Sequence, residues 1–264
     1  MDATVEDARS AIQQTLSQVK AYLAQEAPPT LSEADTKAYF VEPVIRALGW
    51  EGLGVVTREY YVRNSQEFID YMLRGPDGQL MAIETKKLQV DLADKHAAQL
   101  VQYCAVEGIE WAALTNGREL HFFNTFLKRD LAAKRVMVLD LLAFNSDEEF
   151  GAIFAQLWQL SRAQMTAPSG VRTWMHQRRM DAALRQVLAN PGSQVMGHLQ
   201  AALAEVDVAA TPQDLVQWFR SVLGDQKVVR LPHRSGSEVT GGEETGREDT
   251  VSYTHLTLPT KRIV

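Results

Sequence analysis

Asp70, Glu84 and Lys86 are the residues whose types and spacing could do chemistry. Each sits in a stretch that otherwise asks for burial. Phe68-Ile69-Asp70-Tyr71-Met72-Leu73 is apolar and β-prone apart from its one carboxylate, and Leu80-Met81-Ala82-Ile83-Glu84-Thr85-Lys86 resumes the apolar run. Between them, Gly75-Pro76-Asp77-Gly78 is strong turn chemistry. A hairpin folded about Pro76 or Asp77 brings Asp70 opposite Ile83 or Glu84, so the two carboxylates become cross-strand neighbours. Glu84 and Lys86 lie two apart on one strand and share a face.

Two carboxylates in a half-buried strand pair repel each other, and a divalent cation removes that penalty. A hard ion such as Mg²⁺ (or Mn²⁺) prefers carboxylate, carbonyl and water oxygens, which makes Asp70, Glu84 and the Thr85 carbonyl the expected metal ligands. Lys86 could then orient or polarise the attacking water, or stabilise charge developing on a phosphate. The reaction these groups fit is metal-assisted phosphodiester hydrolysis. The plain alternative is a metal-free core in which Lys86 only pairs with the surroundings of Glu84.

The elements that must position these residues follow the order α, β, β, β, α, β, β, β. A first amphipathic helix over residues 4–25 stops at Ala27-Pro28-Pro29-Thr30. Ser32 caps a second helix that runs to Gly49-Trp50, with Ala38, Val41, Val44, Ile45 and Leu48 directed at a sheet. Val55 to Val62 is a first strand, followed by the Asp70/Glu84 hairpin. Asp91-Leu92-Ala93-Asp94 marks a helix start, with Ala93, Ala97, Leu100, Val101 and Cys104 on its apolar face. On that helix His96, Gln99 and Tyr103 form a stripe at one edge of the face, and Gln99 and Tyr103, four apart, stack. Trp111 to Thr115, the Asn116-Gly117 turn, Glu119 to Asn124 and Val136 to Leu141 complete a mixed sheet flanked by helices, an α/β fold.

Taken in order, Glu33-Ala34-Asp35-Thr36-Lys37, Ala47-Leu48-Gly49-Trp50, Glu59, Ile69-Asp70-Tyr71, Ile83-Glu84-Thr85-Lys86 and Gln99…Tyr103 resemble a PD-(D/E)XK nuclease. More narrowly, they resemble the N-terminal nuclease domain of type I restriction enzyme R subunits and its stand-alone relatives. The resemblance spans about Leu31 to Leu142 and departs from the family at Glu42, before Pro43, where an Asp is expected. It implies a restriction-endonuclease-like αβββαβ core, a metal site made by Asp70, Glu84 and Lys86, and a further catalytic acid from the leading helix, which maps onto Glu33. It also implies that Gln99 and Tyr103 border the site, to position the DNA backbone or hold the strand of Lys86. The expected partners are DNA and restriction-system or helicase subunits supplied in trans.

Composition agrees with this. The chain has 264 residues, 45% of them hydrophobic, enough for one core and a smaller second unit. Its one cysteine excludes an internal disulfide and reads as a buried thiol on a helix face. An acidic N-terminus without an apolar stretch, and no run long enough for a membrane span, lead to the expectation of a cytoplasmic protein without membrane contact. The net charge of −6 argues against a passive DNA-coating protein, so any DNA groove must be local. Lys86, Lys87 and Lys95, and a second group of Lys128, Arg129, Lys134 and Arg135, are the candidates for it. No zinc spacing occurs, and no G-x-x-x-x-G-K-[ST], so no ATP-driven motor is expected within this sequence.

The domains expected are a nuclease-like unit over 1–145, a helical extension over 146–226 and a disordered tail over 227–264. In the extension, Asp147 to Ser161, Val171 to Ala189, Gly192 to Glu205 and Thr211 to Leu223 carry helical signals. Trp158, Trp174 and Trp218 read as core or docking residues, and His176, Arg178, Arg179 and Arg185 give a basic side. This half could orient DNA, dimerise the chain or connect it to another part. The final residues, Val251 to Val264, resemble a translated sequencing adaptor. The function expected is therefore a Mg²⁺-dependent DNA endonuclease of a restriction or defence type. The rival is a non-cleaving nucleic-acid-binding or assembly module on the same fold.

Overall fold

The computed structural model describes residues 4–62, 66–168 and 170–223, so the expected disordered tail lies outside the described residues. A six-stranded sheet, with strands side by side in chain order, organises the protein. The strands are β1 (Val56–Val62), β2 (Glu67–Gly75), β3 (Gly78–Thr85), β4 (Trp111–Thr115), β5 (Glu119–Asn124) and β6 (Arg135–Asp140). All neighbours run antiparallel except β3 and β4, which are parallel. A parallel pair needs a crossover, and α4 (Asp94–Glu107) supplies it. Helix, three strands, helix and strand therefore follow one another as the expected αβββαβ core.

Each face of the sheet buries its own cluster. One face packs Tyr71, Leu73, Met81, Ile83, Ala113 and Phe122 against α1 (Val5–Leu23), α3 (Glu42–Ala47) and α6 (Asp147–Leu157). The other packs Met72, Ala82, Ala112, Leu114 and Phe123 against Ala97, Leu100, Val101 and Cys104 of α4. Cys104 is the buried thiol expected, and burial pushes its pKa up. Helix α4 starts later than Asp91 suggests. Its N-cap is Ala93, whose N–H donates to His96 Nδ1 at 3.4 Å, while Asp91 and Asp94 pair instead with Arg118 and Arg135.

The second helix departs from the regular pattern. It begins as α2 (Glu33–Thr36), capped by Ser32, passes through a π turn (Lys37–Val41) and continues as α3. Pro43 has no N–H to give to the carbonyl four residues back, and a π turn removes that demand. The extra residue in the turn delays the inward face by one position. Phe40 is buried and Ala38, expected inside, is exposed; Val41, Ile45 and Leu48 remain buried.

After Asp147 the chain is helical: α6, a 3-10 turn, α7 (Arg162–Thr166), α8 (Val171–Leu188), α9 (Gln194–Ala204) and α10 (Pro212–Leu223). Phe150, Phe154, Leu157, Leu160 and Met175 join the cluster beneath the sheet, so the first of these helices complete the core rather than hang from it. The Trp50 indole N–H donates to the Leu160 carbonyl at 2.8 Å and ties the two halves together. Met196, Leu215 and Val216 form a separate small core between the last helices. Trp158 and Trp174 pack against the main core, whereas Trp218 is exposed. No helix among the described residues is long and apolar enough to cross a membrane.

Candidate metal centre

The hairpin of β2 and β3 turns through Pro76 and Asp77, with Gly75 paired to Gly78, whose φ of +117° favours glycine. A turn centred there, continued regularly, would set Asp70 opposite Ile83. A register shift between Leu73 and Arg74 intervenes, leaving Leu80 as the extra residue. Beyond it, Leu73 pairs with Met81 and Tyr71 with Ile83, so the next step sets Asp70 beside Glu84. Partners directly opposite share a face, and this bulge therefore decides that the two carboxylates meet.

A second irregularity shapes the position of Asp70. The β1–β2 ladder pairs Arg58 with Tyr71 and Tyr60 with Ile69, skipping Glu59 and Asp70. Glu59 has a φ of 50°, and across this step the strand pair changes face. Ile69 lies in the cluster under α4, while Tyr71, two residues on, lies in the opposite one. Asp70 occupies the kink between them, where its carboxylate reaches two elements at once. One oxygen accepts the Thr85 N–H at 2.6 Å, and the other meets the ammonium of Lys37 on the helical path after α2.

Five charged side chains gather here. Lys37 also lies 3.3 Å from Glu33, and Lys86 donates to Glu84 at 2.7 Å. Burial, then the charge of Asp70, raises the Glu84 pKa against the opposing pull of Lys86. Burial works to lower the Lys86 ammonium, but Glu84, with Glu33 and Asp70 beyond it, outweighs burial and the net shift is upward. Lys37 behaves alike: burial opposes the charge, Asp70 and Glu33 restore it, and its pKa is raised. The group is thus one electrostatic unit, half sheltered from water.

Around it, Thr36 is fully buried and its hydroxyl accepts the Leu88 N–H at 3.1 Å, which holds the chain leaving β3 against α2. Lys86 N–H continues the parallel ladder to the Thr115 carbonyl at 2.8 Å. Burial, then Lys86 and Lys95, lowers the pKa of His96. Gln99 and Tyr103 stand on that helix, and Tyr103 packs on the cluster of the same sheet face. They bond to each other, Gln99 Nε2 donating to the Tyr103 hydroxyl at 2.8 Å, with Gln99 exposed.

Glu42, the departure noted in the leading helix, belongs elsewhere. It receives both Arg58 donors, at 2.8 and 2.9 Å, and the Tyr71 hydroxyl at 3.2 Å, and the Arg58 bond holds its carboxyl below the usual range. Glu33, not Glu42, is the helical acid that shares Lys37 with Asp70. Lys37 is the residue that sequence reasoning passed over. Its signal was present: it lies four after Glu33, on one face of a turn. Of the basic residues considered for a DNA groove, Arg135 is committed to Asp94 and Lys134 to the Thr125 carbonyl.

The oxygen donors gathered here are hard ones. Among the described residues no three His, Cys, Asp or Glu side chains form a ready metal cluster, and the hard donors are the two carboxylates of Asp70 and Glu84. Mg²⁺ is commonly held by one or two carboxylates and leaves the rest of its shell to water and substrate phosphate.

Residues 51–137 match the family described as Type I restriction enzyme R protein N terminus. Among solved structures, a fragment of a putative HsdR subunit of a type I restriction enzyme from Vibrio vulnificus YJ016 aligns at 22% identity and a TM-score of 0.35, over 48% of this chain and 26% of its own. The type IIG restriction endonuclease BpuSI aligns at 15% identity and a TM-score of 0.31, over 81% of this chain and 23% of its own. The chain thus spans about a quarter of the length of each, 26% and 23%. No curated protein matches it. The matched segment is the one that carries Asp70, Glu84, Lys86, Gln99 and Tyr103.

Proposed function

We propose that this protein is a Mg²⁺-dependent DNA endonuclease of a restriction type. The observation that carries the reading is the meeting of Asp70 and Glu84 across a bulged hairpin, with Lys86 bonded to Glu84, inside the segment that matches the family. Asp70, Glu84 and the Thr85 carbonyl would hold the ion, which supplies Lewis-acid stabilisation to a phosphoryl oxygen.

The protein's own residues do the rest. Lys86 is kept cationic by its carboxylate neighbours, so at neutral pH it donates hydrogen bonds and positive charge and does not accept a proton. Its place two residues past Glu84 sets that charge against the phosphate whose negative charge grows during hydrolysis. Thr85 N–H fixes one Asp70 oxygen, so the carboxylate keeps its direction as substrate enters. Gln99 and Tyr103, bonded to each other on α4, would present a polar edge to the DNA backbone.

The test is nicking of supercoiled duplex DNA by the purified chain with Mg²⁺, Mn²⁺ or Ca²⁺, alone and with motor and specificity subunits of a type I system added. Cleavage with Mg²⁺ or Mn²⁺ that disappears in Asp70→Ala and Glu84→Ala is the expected result. Lys86→Ala should bind the ion as the parent does and lose rate by about 10²-fold or more, the pattern of a group acting in the transition state. DNA binding without cutting under every condition would return the protein to the non-cleaving module.

A further inference from the structure

We propose that Lys37 is the internal counter-cation of the metal centre, holding Asp70 while no divalent ion is bound and moving onto Glu33 when one arrives. The inference rests on the metal centre proposed above and gives Glu33 a role other than that of a ligand. Three features carry it. First, the two Asp70 oxygens have different duties: the Thr85 backbone N–H holds one at 2.6 Å, and the other meets a mobile side-chain ammonium. Only the second can be given up without moving the strand. Second, Lys37 already has its alternative acceptor, with Glu33 Oε1 3.3 Å from Nζ. Rotation of the terminal lysine bonds suffices to shorten that contact as the one to Asp70 lengthens, because Glu33 and Lys37 share one helical face.

Third, the charges close. Glu33, Asp70 and Glu84 against Lys37 and Lys86 leave one net negative charge. A divalent ion turns this into one net positive charge, opposite in sign to the phosphodiester it must meet. Lys37 thereby spares the empty site two facing bare carboxylates, at the expense of competing with the ion for one oxygen. Lys37 is itself the first residue of the π turn, where the helical register is irregular.

The experiment is a double-mutant cycle on the full chain, with Mn²⁺ affinity by titration calorimetry as the readout and metal-free unfolding as the control for folding. Lys37→Met should tighten Mn²⁺ by about tenfold, the worth of a partly sheltered ion pair. Glu33→Gln should weaken it by a similar factor, since Lys37 loses its refuge. In the Lys37→Met background, however, Glu33→Gln should change affinity by less than about twofold, because Glu33 acts through Lys37. An equal loss in both backgrounds would overturn the inference and make Glu33 a direct contributor to the ion's field. An unchanged affinity in Lys37→Met would reduce Lys37 to a structural ion pair. If Lys37→Met does not fold, Lys37→Gln, uncharged but still a donor, takes its place in the cycle. A parent chain that binds no Mn²⁺ would bring down the endonuclease reading itself, a result distinct from additive losses in a chain that does bind.

Discussion

Asp70→Asn separates a carboxylate that holds an ion from one that holds the fold. The amide oxygen can still accept the Thr85 N–H, now at 2.6 Å, so the strand junction survives. Two terms change, with opposite signs. The ion pair with Lys37 is lost, but Lys37 retains Glu33 at 3.3 Å, and Asp70 no longer pushes the half-buried Glu84 upward. Each term is worth about 1–2 kcal/mol for groups sheltered to this degree, between the exposed and fully buried limits. Metal-free stability should therefore move by less than about 2 kcal/mol. The metal-dependent increment behaves differently. An ion at one hundred times its Kd adds about 2.7 kcal/mol, and for a chain of this size that raises Tm by about 5–10 °C. With one of the two carboxylates proposed to hold the ion neutralised, the increment at the same Mg²⁺ concentration should fall nearly to zero. Urea and thermal unfolding of parent and variant, each with and without Mg²⁺, measure both numbers. An undiminished rise of Tm in Asp70→Asn would refute the placement of the ion, and a metal-free loss above about 4 kcal/mol would show Asp70 to be a structural carboxylate.

Glu84 makes stability depend on pH with a definite sign. Its folded pKa is raised, so its contribution is full below the ordinary glutamate value and is lost as pH rises through the folded value. Without metal, the parent should lose stability relative to Glu84→Gln as pH climbs through that window, and urea midpoints at successive pH values would show it; a parallel pair of profiles would contradict the burial of Glu84. Gln99→Ala and Tyr103→Phe remove one exposed mutual hydrogen bond, so unfolding should shift by less than about 1 kcal/mol while cleavage falls about tenfold to a hundredfold, from loss of a bond to a charged partner. Activity lost only in proportion to stability would make the pair structural. Trp50→Phe leaves the Leu160 carbonyl without its donor and opens space in the main core, with an expected cost of about 2–4 kcal/mol in chemical denaturation. A loss under about 0.5 kcal/mol would mean that the segment around Leu160 is not docked as described.

The sequence by itself determined the elements and the chemistry they carry. The apolar, β-prone runs around Asp70 and Glu84, the Pro76-Asp77 turn, the cap at Ser32 and the apolar periodicity of α4 are local signals, and the strands and helices form where those signals stand. What it left open was whether Asp70 faces Ile83 or Glu84. That choice came from the bulge at Leu80, whose side chain packs against the core cluster. The change of face at Glu59 and Asp70 is of the same kind, since it depends on which cluster accepts Ile69 and which accepts Tyr71. Lys37 meets Asp70 from the start of a π turn, beside Thr36, which clamps the loop after β3. Spacing within one element is written in the chain, because helix and strand periods are fixed by backbone geometry. Register between elements, and the meeting of side chains 33 positions apart, are settled by how the packed core fills, which no local pattern encodes.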